Sequence, residues 1–209
     1  MNQNIHFHPA LQAYIASFLP EVAQINEDRK LQLQEISQYI STKVVAGAPI
    51  HLTFICTHNS RRSHFGQIWA AVAAAWYRVE NVHTYSGGTE ATAFNPRAVA
   101  AAERAGFVIK NPGGDNPRYE VSFVEEHPSL ECFSKTYDDL FNPQQNFAAV
   151  MTCSDADQNC PFIPGADRRF PVTYKDPKEA DNTPEESARY DERCRQIATE
   201  MFYLFSEVH

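Results

Sequence analysis

The segment from residue 56 to residue 63 constrains the fold of this chain more than any other feature of the sequence. It follows an apolar run at residues 51–55 and precedes a helical pattern of apolar residues at 65–77. This order predicts that a β-strand runs into a tight loop, and that the loop runs into the first turn of a helix. The loop begins with the thiol of Cys56 and ends with the guanidinium of Arg62, so both groups are expected on one short turn of chain.

The Cys-x5-Arg spacing suits a loop that wraps around a tetrahedral oxyanion. Backbone N–H groups of such a loop and of the first helical turn point at the anion, and the planar Arg62 guanidinium can hold two of its oxygens. The Cys56 sulfur would lie beneath the anion, where the N–H groups favour the thiolate. We expect Asn59 to brace the loop through its amide and Ser63 to donate to the thiolate. The other residues expected around the anion are Thr57, His58, Ser60 and Arg61.

A structural alternative exists for this segment. Cys56 could be a buried thiol at a strand end, beside an exposed pair of arginines. His58 could add positive charge at low pH or pack against Trp69 or the N-terminal helices, and we expect packing. The strand–loop–helix context favours the oxyanion loop over the purely structural interpretation.

Strand and helix patterns alternate along the rest of the chain. Strands are expected at 51–56, 82–86, 107–110, 119–124, 147–153 and 169–173, and helices at 62–78, 96–105 and 184–205. This alternation predicts a parallel sheet with helices on both faces. Ligands of such sheets bind beyond the carboxyl ends of the strands, and Cys56, Ser86 and Cys153 all fall at such ends.

Two further helical patterns precede this unit. Apolar residues recur at helical spacing in 9–19 and again in 27–45. We predict an N-terminal helical extension over residues 1–48 and a second unit over residues 49–209. A helical hairpin that covers apolar surface of that unit is favoured over a partner-binding module.

Composition excludes several function classes. The formal net charge of −8 argues against a broad nucleic-acid or anionic-membrane surface. No apolar run approaches the ~20 residues that span a membrane. The five cysteines are odd in number and lack disulfide-framework spacing, which favours reactive thiols in a reducing compartment. We therefore expect a cytoplasmic protein. We also expect it to be a monomer and to have no bound metal ion.

Three segments, taken in order, resemble the low-molecular-weight protein tyrosine phosphatase superfamily, which includes the thioredoxin-coupled arsenate reductases. They are the loop at 56–63, the strand end at 85–89 and the Asp-Pro turn at 175–177. The resemblance implies a three-layer α/β fold, in which a central parallel four-stranded sheet is flanked by helices. It also implies that Asp176 is a general acid, although Lys-Asp-Pro is a common turn composition as well.

A fourth segment separates the branches of this superfamily. Residues 150–161 closely resemble the redox segment of the arsenate reductases, which the ordinary phosphatases lack. This implies that Cys56, Cys153 and Cys160 reduce arsenate to arsenite in a thiol–disulfide cascade, with thioredoxin as reductant and no bound cofactor. The alternative is a tyrosine phosphatase that forms a thiophosphate on Cys56 and carries two inert thiols. A third possibility is a non-catalytic protein that binds oxyanions or senses redox state. We expect Cys132 and Cys194 to be packing residues.

The spacing of the last two thiols has a consequence. In an intact helix, the seven-residue separation of Cys153 and Cys160 would place the sulfurs ~10 Å apart, which is too far for a disulfide. The segment would have to unwind to bring them together. Low helix propensity should make this easy, and the residues concerned are Ser154, Asp155, Asp157 and Asn159, with Pro161 limiting the helix after Cys160.

Overall fold

The computed structural model describes residues 5–125, 128–160 and 162–209. Its helices are α1 (Pro9–Phe18), α2 (Glu27–Val45), α3 (Arg62–Trp76), α4 (Pro96–Arg104), α5 (Ser154–Asn159) and α6 (Glu186–Ser206). Its strands are β1 (Ile50–Cys56), β2 (Val82–Gly88), β3 (Val108–Lys110), β4 (Tyr119–Ser122), β5 (Leu130–Cys132), β6 (Phe147–Met151) and β7 (Ala166–Pro171). Short 3₁₀ helices cover Leu19–Gln24 and Pro177–Ala180.

A four-stranded parallel sheet forms the centre, in the order β2-β1-β6-β7. This confirms the predicted sheet and its helical flanks. In the register, Cys56 lies beside Gly88, and Ile55 lies beside Met151. The chain that follows β6 therefore leaves the sheet at the same end, the carboxyl end of the strands, as the loop that follows Cys56.

The burial of the strands explains why they form the centre. All five residues of β6 are buried, as expected for a parallel strand covered on both faces. Side chains of β1 alternate between two apolar clusters, with Phe54 in the larger and Ile55 in the smaller. Helix α3 packs directly on the first face, because a side chain at Gly66 would come within 2.4 Å of the Phe54 ring. This close packing sets the start of α3 against the end of β1.

The N-terminal helices contribute to the main apolar cluster. Ile15 and Phe18 of α1 and Ile36 and Ile40 of α2 are fully buried and pack in one cluster with α3 and α6. Phe18 meets the ring of Trp69 edge-on, with the ring centroids 5.8 Å apart. The two helices thus pack on the domain as predicted, while the boundary at residue 48 stays a prediction.

Some expectations about individual elements were wrong. A second, antiparallel sheet in the order β3-β4-β5 was not predicted, because the three residues of β5 are too few for a period of two to show. The last strand was predicted at 169–173 but runs over Ala166–Pro171. Three polar residues follow Ala166 in this strand, since it is an edge strand of the sheet and half of it is exposed.

Three smaller findings complete the fold. The closing helix was predicted from residue 184 but begins at Glu186, with Glu185 as the residue before it. Pro161 lies outside the described residues, so its predicted effect on α5 stays a prediction. Among the helices that the structure describes, none is long and apolar enough to cross a bilayer.

Candidate active site

The loop at residues 57–61 joins β1 to α3 and is held by a buried amide. Asn59 has a φ of 43°, a left-handed conformation that asparagine tolerates better than most residues. Its Nδ2 donates to Ser63 Oγ at 2.9 Å, and its Oδ1 accepts the backbone N–H of Lys135 at 2.9 Å. The amide therefore ties the loop to α3 on one side and to the chain after β5 on the other.

The same hydrogen bonds determine which donor faces the Cys56 thiol. Ser63 Oγ lies 3.1 Å from Cys56 Sγ, and both residues are almost fully buried. Because Ser63 already accepts a hydrogen bond from Asn59, its own proton is free to point at the sulfur. The contacts expected of Asn59 and Ser63 are therefore present, and the catalytic roles stay predictions.

The end of β2 closes against the loop. Gly88 lies so near that a side chain there would come within 2.7 Å of both the Asn59 nitrogen and the Thr57 carbonyl oxygen. The next residues continue the contact, because Glu90 N–H donates to the Thr57 carbonyl at 2.8 Å. The glycine at this strand end is thus required by the close approach of the oxyanion loop.

Arg62 and Asp176 meet although they are 114 positions apart. Arg62 Nη2 donates to Asp176 Oδ2 at 2.6 Å, and its Nη1 donates to the Tyr174 carbonyl at 3.0 Å. The other carboxylate oxygen of Asp176 accepts the Lys178 N–H at 3.0 Å and so caps the following 3₁₀ helix. An oxyanion bound in the loop would compete with Asp176 for this guanidinium.

The other charged residues of the loop point elsewhere. Arg61 Nε donates to the Tyr190 hydroxyl at 2.9 Å, and its terminal nitrogens lie 3.9 Å from Asp176 and Asp181. Its charge is therefore shared with carboxylates. The expected packing of His58 was wrong, because its side chain is 45% exposed and lies 3.7 Å from Glu90. The His58 side chain thus turns toward solvent, while the His58 backbone carbonyl accepts hydrogen bonds from two hydroxyl groups later in the chain.

His64 is a site residue that the sequence analysis missed. It is fully buried and stacks on Phe94 with the ring centroids 4.0 Å apart. Its Nε2 lies 3.0 Å from the Asn59 carbonyl and its Nδ1 lies 3.2 Å from Ser86 Oγ. Since a carbonyl only accepts, Nε2 carries the proton and Nδ1 accepts from the serine. The only sequence signal was its place directly after Ser63.

A testable pH dependence follows from this burial. Desolvation, with the nearby Lys135 charge, lowers the pKa of His64 well below 6.5. The folded protein therefore keeps His64 neutral, while the unfolded chain takes up a proton there below about pH 6.5. The free energy of unfolding should fall as the pH drops from about 7 to about 5, with this residue contributing up to about 1.4 kcal/mol per pH unit.

Urea unfolding at several pH values measures this slope. His64→Gln should flatten it, whereas His58→Gln, at an exposed side chain, should leave it unchanged. Equal slopes for the parent protein and His64→Gln would contradict the assignment of a neutral, buried imidazole.

Cys153 lies against the oxyanion loop. It is fully buried and caps α5, since its Sγ accepts the Ala156 N–H at 3.4 Å. The same sulfur lies 3.4 Å from Thr57 Oγ1, the residue that follows Cys56. Cys160 follows α5 at its other end and is half-buried. The structure thus places Cys56 and Cys153 at the carboxyl end of the sheet, and Cys160 at the far end of the short helix α5.

The remaining thiols are enclosed by the core. All five cysteines are free. Burial raises the pKa of both Cys132 and Cys194 to about 12, and Cys194 Sγ accepts the Trp69 indole N–H at 3.2 Å. Both are poor nucleophiles in this setting, which agrees with the expected packing role. Within the described ranges, no three His, Cys, Asp or Glu side chains are grouped as a metal site would require.

Comparisons with known proteins place the chain. No family model matches it. The low-molecular-weight phosphotyrosine phosphatase of Vibrio cholerae O395 superposes with a TM-score of 0.51 at 14% identity, over 75% of this chain and 95% of that one, which shows the fold. The arsenate reductase of Bacillus licheniformis is 30% identical over 159 residues, covering 74% of this chain and 93% of that protein. That of Bacillus subtilis is 31% identical over 155 residues, with the same shares.

The chain therefore has the fold of the low-molecular-weight phosphatases. It belongs to the arsenate reductase family.

Proposed function

We propose that this protein reduces arsenate to arsenite, with Cys56 as nucleophile, Cys153 and Cys160 as redox thiols and thioredoxin as reductant. The relatives named arsenate reductase support the reaction. A cytoplasmic location belongs to the proposal, because the cascade needs reduced thiols. The absence of a bound cofactor also belongs to it, since the electrons come from a separate protein. A monomeric state is proposed as well.

The observation that carries the proposal is the position of Cys153. Its buried sulfur contacts Thr57 at 3.4 Å, so a second thiol lies beside the loop that begins at Cys56. A phosphatase has no use for a thiol there. A reductase requires one, because the bond between sulfur and arsenic must be broken by a second sulfur.

The proposed reaction has four steps. The Cys56 thiolate attacks arsenic and displaces hydroxide, while Arg62 and the loop N–H groups hold the remaining oxygens. The Cys153 thiolate then attacks the Cys56 sulfur. The sulfur–arsenic bond breaks with its electron pair on arsenic, which leaves as arsenite, and a Cys56–Cys153 disulfide remains. The Cys160 thiolate attacks Cys153 and frees Cys56, and the dithiol of thioredoxin reduces the Cys153–Cys160 disulfide.

The second candidate is a protein tyrosine phosphatase. The position of Asp176 beside Arg62 favours it, since a carboxyl group there can protonate a leaving alcohol. Cys56 would attack phosphorus and water would hydrolyse the thiophosphate. The two activities share the loop, so the protein is expected to cleave aryl phosphates as a side reaction.

The decisive assay is arsenate-dependent oxidation of NADPH in the presence of thioredoxin and thioredoxin reductase. We expect one NADPH consumed per arsenite released, and no consumption when arsenate, thioredoxin or this protein is left out. Phosphate in place of arsenate should give none, because it accepts no electrons under these conditions. Cleavage of an aryl phosphate without arsenate-dependent oxidation would select the phosphatase, and oxyanion binding without either turnover would exclude both enzymes.

A further inference from the structure

Arg169 of β7 holds the far end of α5. Its Nε donates to the backbone carbonyl of Cys160 at 3.1 Å. Its Nη2 donates to both the backbone carbonyl and the side-chain Oδ1 of Asp157, with which it forms an ion pair. The side chain is 24% exposed. A single guanidinium thus contacts the last turn of the helix and the reactive cysteine that follows it.

These contacts matter because α5 is a weak helix. It has six residues, too few to be stable by themselves, and the last carbonyl groups of any helix lack a donor within it. Arg169 supplies charged donors, which make stronger hydrogen bonds than neutral ones. Its own position is firm, because β7 is paired with β6 at this level, where Arg169 lies beside Ala149.

Formation of a Cys153–Cys160 disulfide would break these contacts. The two cysteines bracket α5, and seven residues of helix span ~10 Å. A disulfide needs the two Cβ atoms within about 4.5 Å. The helix must therefore open and Cys160 must move toward Cys153, which pulls its carbonyl away from Arg169. The contacts of Arg169 belong to the dithiol form of the pair and not to the disulfide.

We propose that Arg169 is a positioning residue that sets the redox balance of the Cys153–Cys160 pair by stabilising its dithiol form, an inference that rests on the proposed redox role of these thiols. Contacts present only in the dithiol make the disulfide a stronger oxidant. The final disulfide is then easier for a protein dithiol to reduce, and α5 forms again after the reduction.

The test measures the equilibrium of this pair without arsenate. In a Cys56→Ser background, the protein is equilibrated with mixtures of reduced and oxidised dithiothreitol, and its free thiols are trapped by alkylation and counted by mass. Two electrons and two protons pass from the protein dithiol to the cyclic disulfide of dithiothreitol. Arg169→Gln should raise the equilibrium constant for disulfide formation about tenfold, which corresponds to a potential ~30 mV more negative.

Neighbouring residues provide matched controls. Arg168 lies on the same strand but its guanidinium lies over Phe170 and pairs with Glu35 of α2, so Arg168→Gln should leave the constant unchanged. Asp157→Asn removes the charged acceptor alone and should give a smaller change in the same direction. Arg169→Lys keeps the charge, so its equilibrium constant should lie between those of the parent protein and of Arg169→Gln.

Two results would overturn the inference. One is an unchanged constant in Arg169→Gln, and the other is an equal change in Arg168→Gln. Thermal unfolding of each variant shows whether it folds. If the equilibrium constant shifts in Arg169→Gln but the parent protein with Cys56 reduces no arsenate, the positioning role stands and the proposed function is rejected. If the parent protein reduces arsenate but the constant does not shift, the proposed function stands and the positioning role is rejected.

Discussion

Cys56→Ser should abolish arsenate reduction and aryl-phosphate cleavage while leaving oxyanion binding largely intact. In both proposed reactions the thiolate is the nucleophile, and a serine hydroxyl is a far weaker one at neutral pH. Removal of a nucleophile lowers turnover by more than about a thousandfold. Binding should persist because Asn59, not the sulfur, braces the loop. Arsenite release and calorimetric titration with arsenate measure the two effects.

Two further variants frame this result. Arg62→Ala should lose both binding and turnover, because the guanidinium that would hold the oxyanion is gone. Cys194→Ala serves as the matched control, since it removes a buried thiol that belongs to the other apolar cluster, and it should retain activity. Appreciable turnover by Cys56→Ser would reject the nucleophile assignment.

Cys153→Ser and Cys160→Ser should each stop multiple turnover of arsenate yet spare cleavage of an aryl phosphate. In the proposed phosphatase mechanism, hydrolysis uses only Cys56, Arg62 and Asp176, and no electrons move. The two variants should also differ from each other. Cys160→Ser retains the first two thiols, so each molecule releases one arsenite and stops with a Cys56–Cys153 disulfide. Cys153→Ser lacks the attacking thiol and should release almost none.

Quantified arsenite and mass mapping of disulfides after one exposure to arsenate decide between these outcomes. Cys132→Ala, at another fully buried thiol, should behave like the parent protein. If arsenite release is indifferent to both substitutions, the segment around α5 is structural and the phosphatase interpretation stands.

The positions of the first site residues were readable from sequence because these residues lie in short segments. The apolar run of β1, the Cys-x5-Arg spacing and the helical pattern of α3 are contiguous, so their order alone placed Cys56 at a strand end and Arg62 at a helix start. The parallel sheet followed from the alternation of strands and helices. The redox role proposed for residues 150–161 rests on a resemblance, and not on periodicity.

Only the tertiary structure decided the contacts between distant segments. Three of these contacts give no periodic signal in the sequence. They are the ion pair of Arg62 with Asp176, the hydrogen bond between the Asn59 carbonyl and the buried His64, and the hydrogen bonds of Arg169 to α5 and Cys160. Each depends on how a side chain is enclosed by neighbours that arrive from elsewhere in the chain. The outward turn of His58 was missed for the same reason, since exposure within a loop is set by what packs around it.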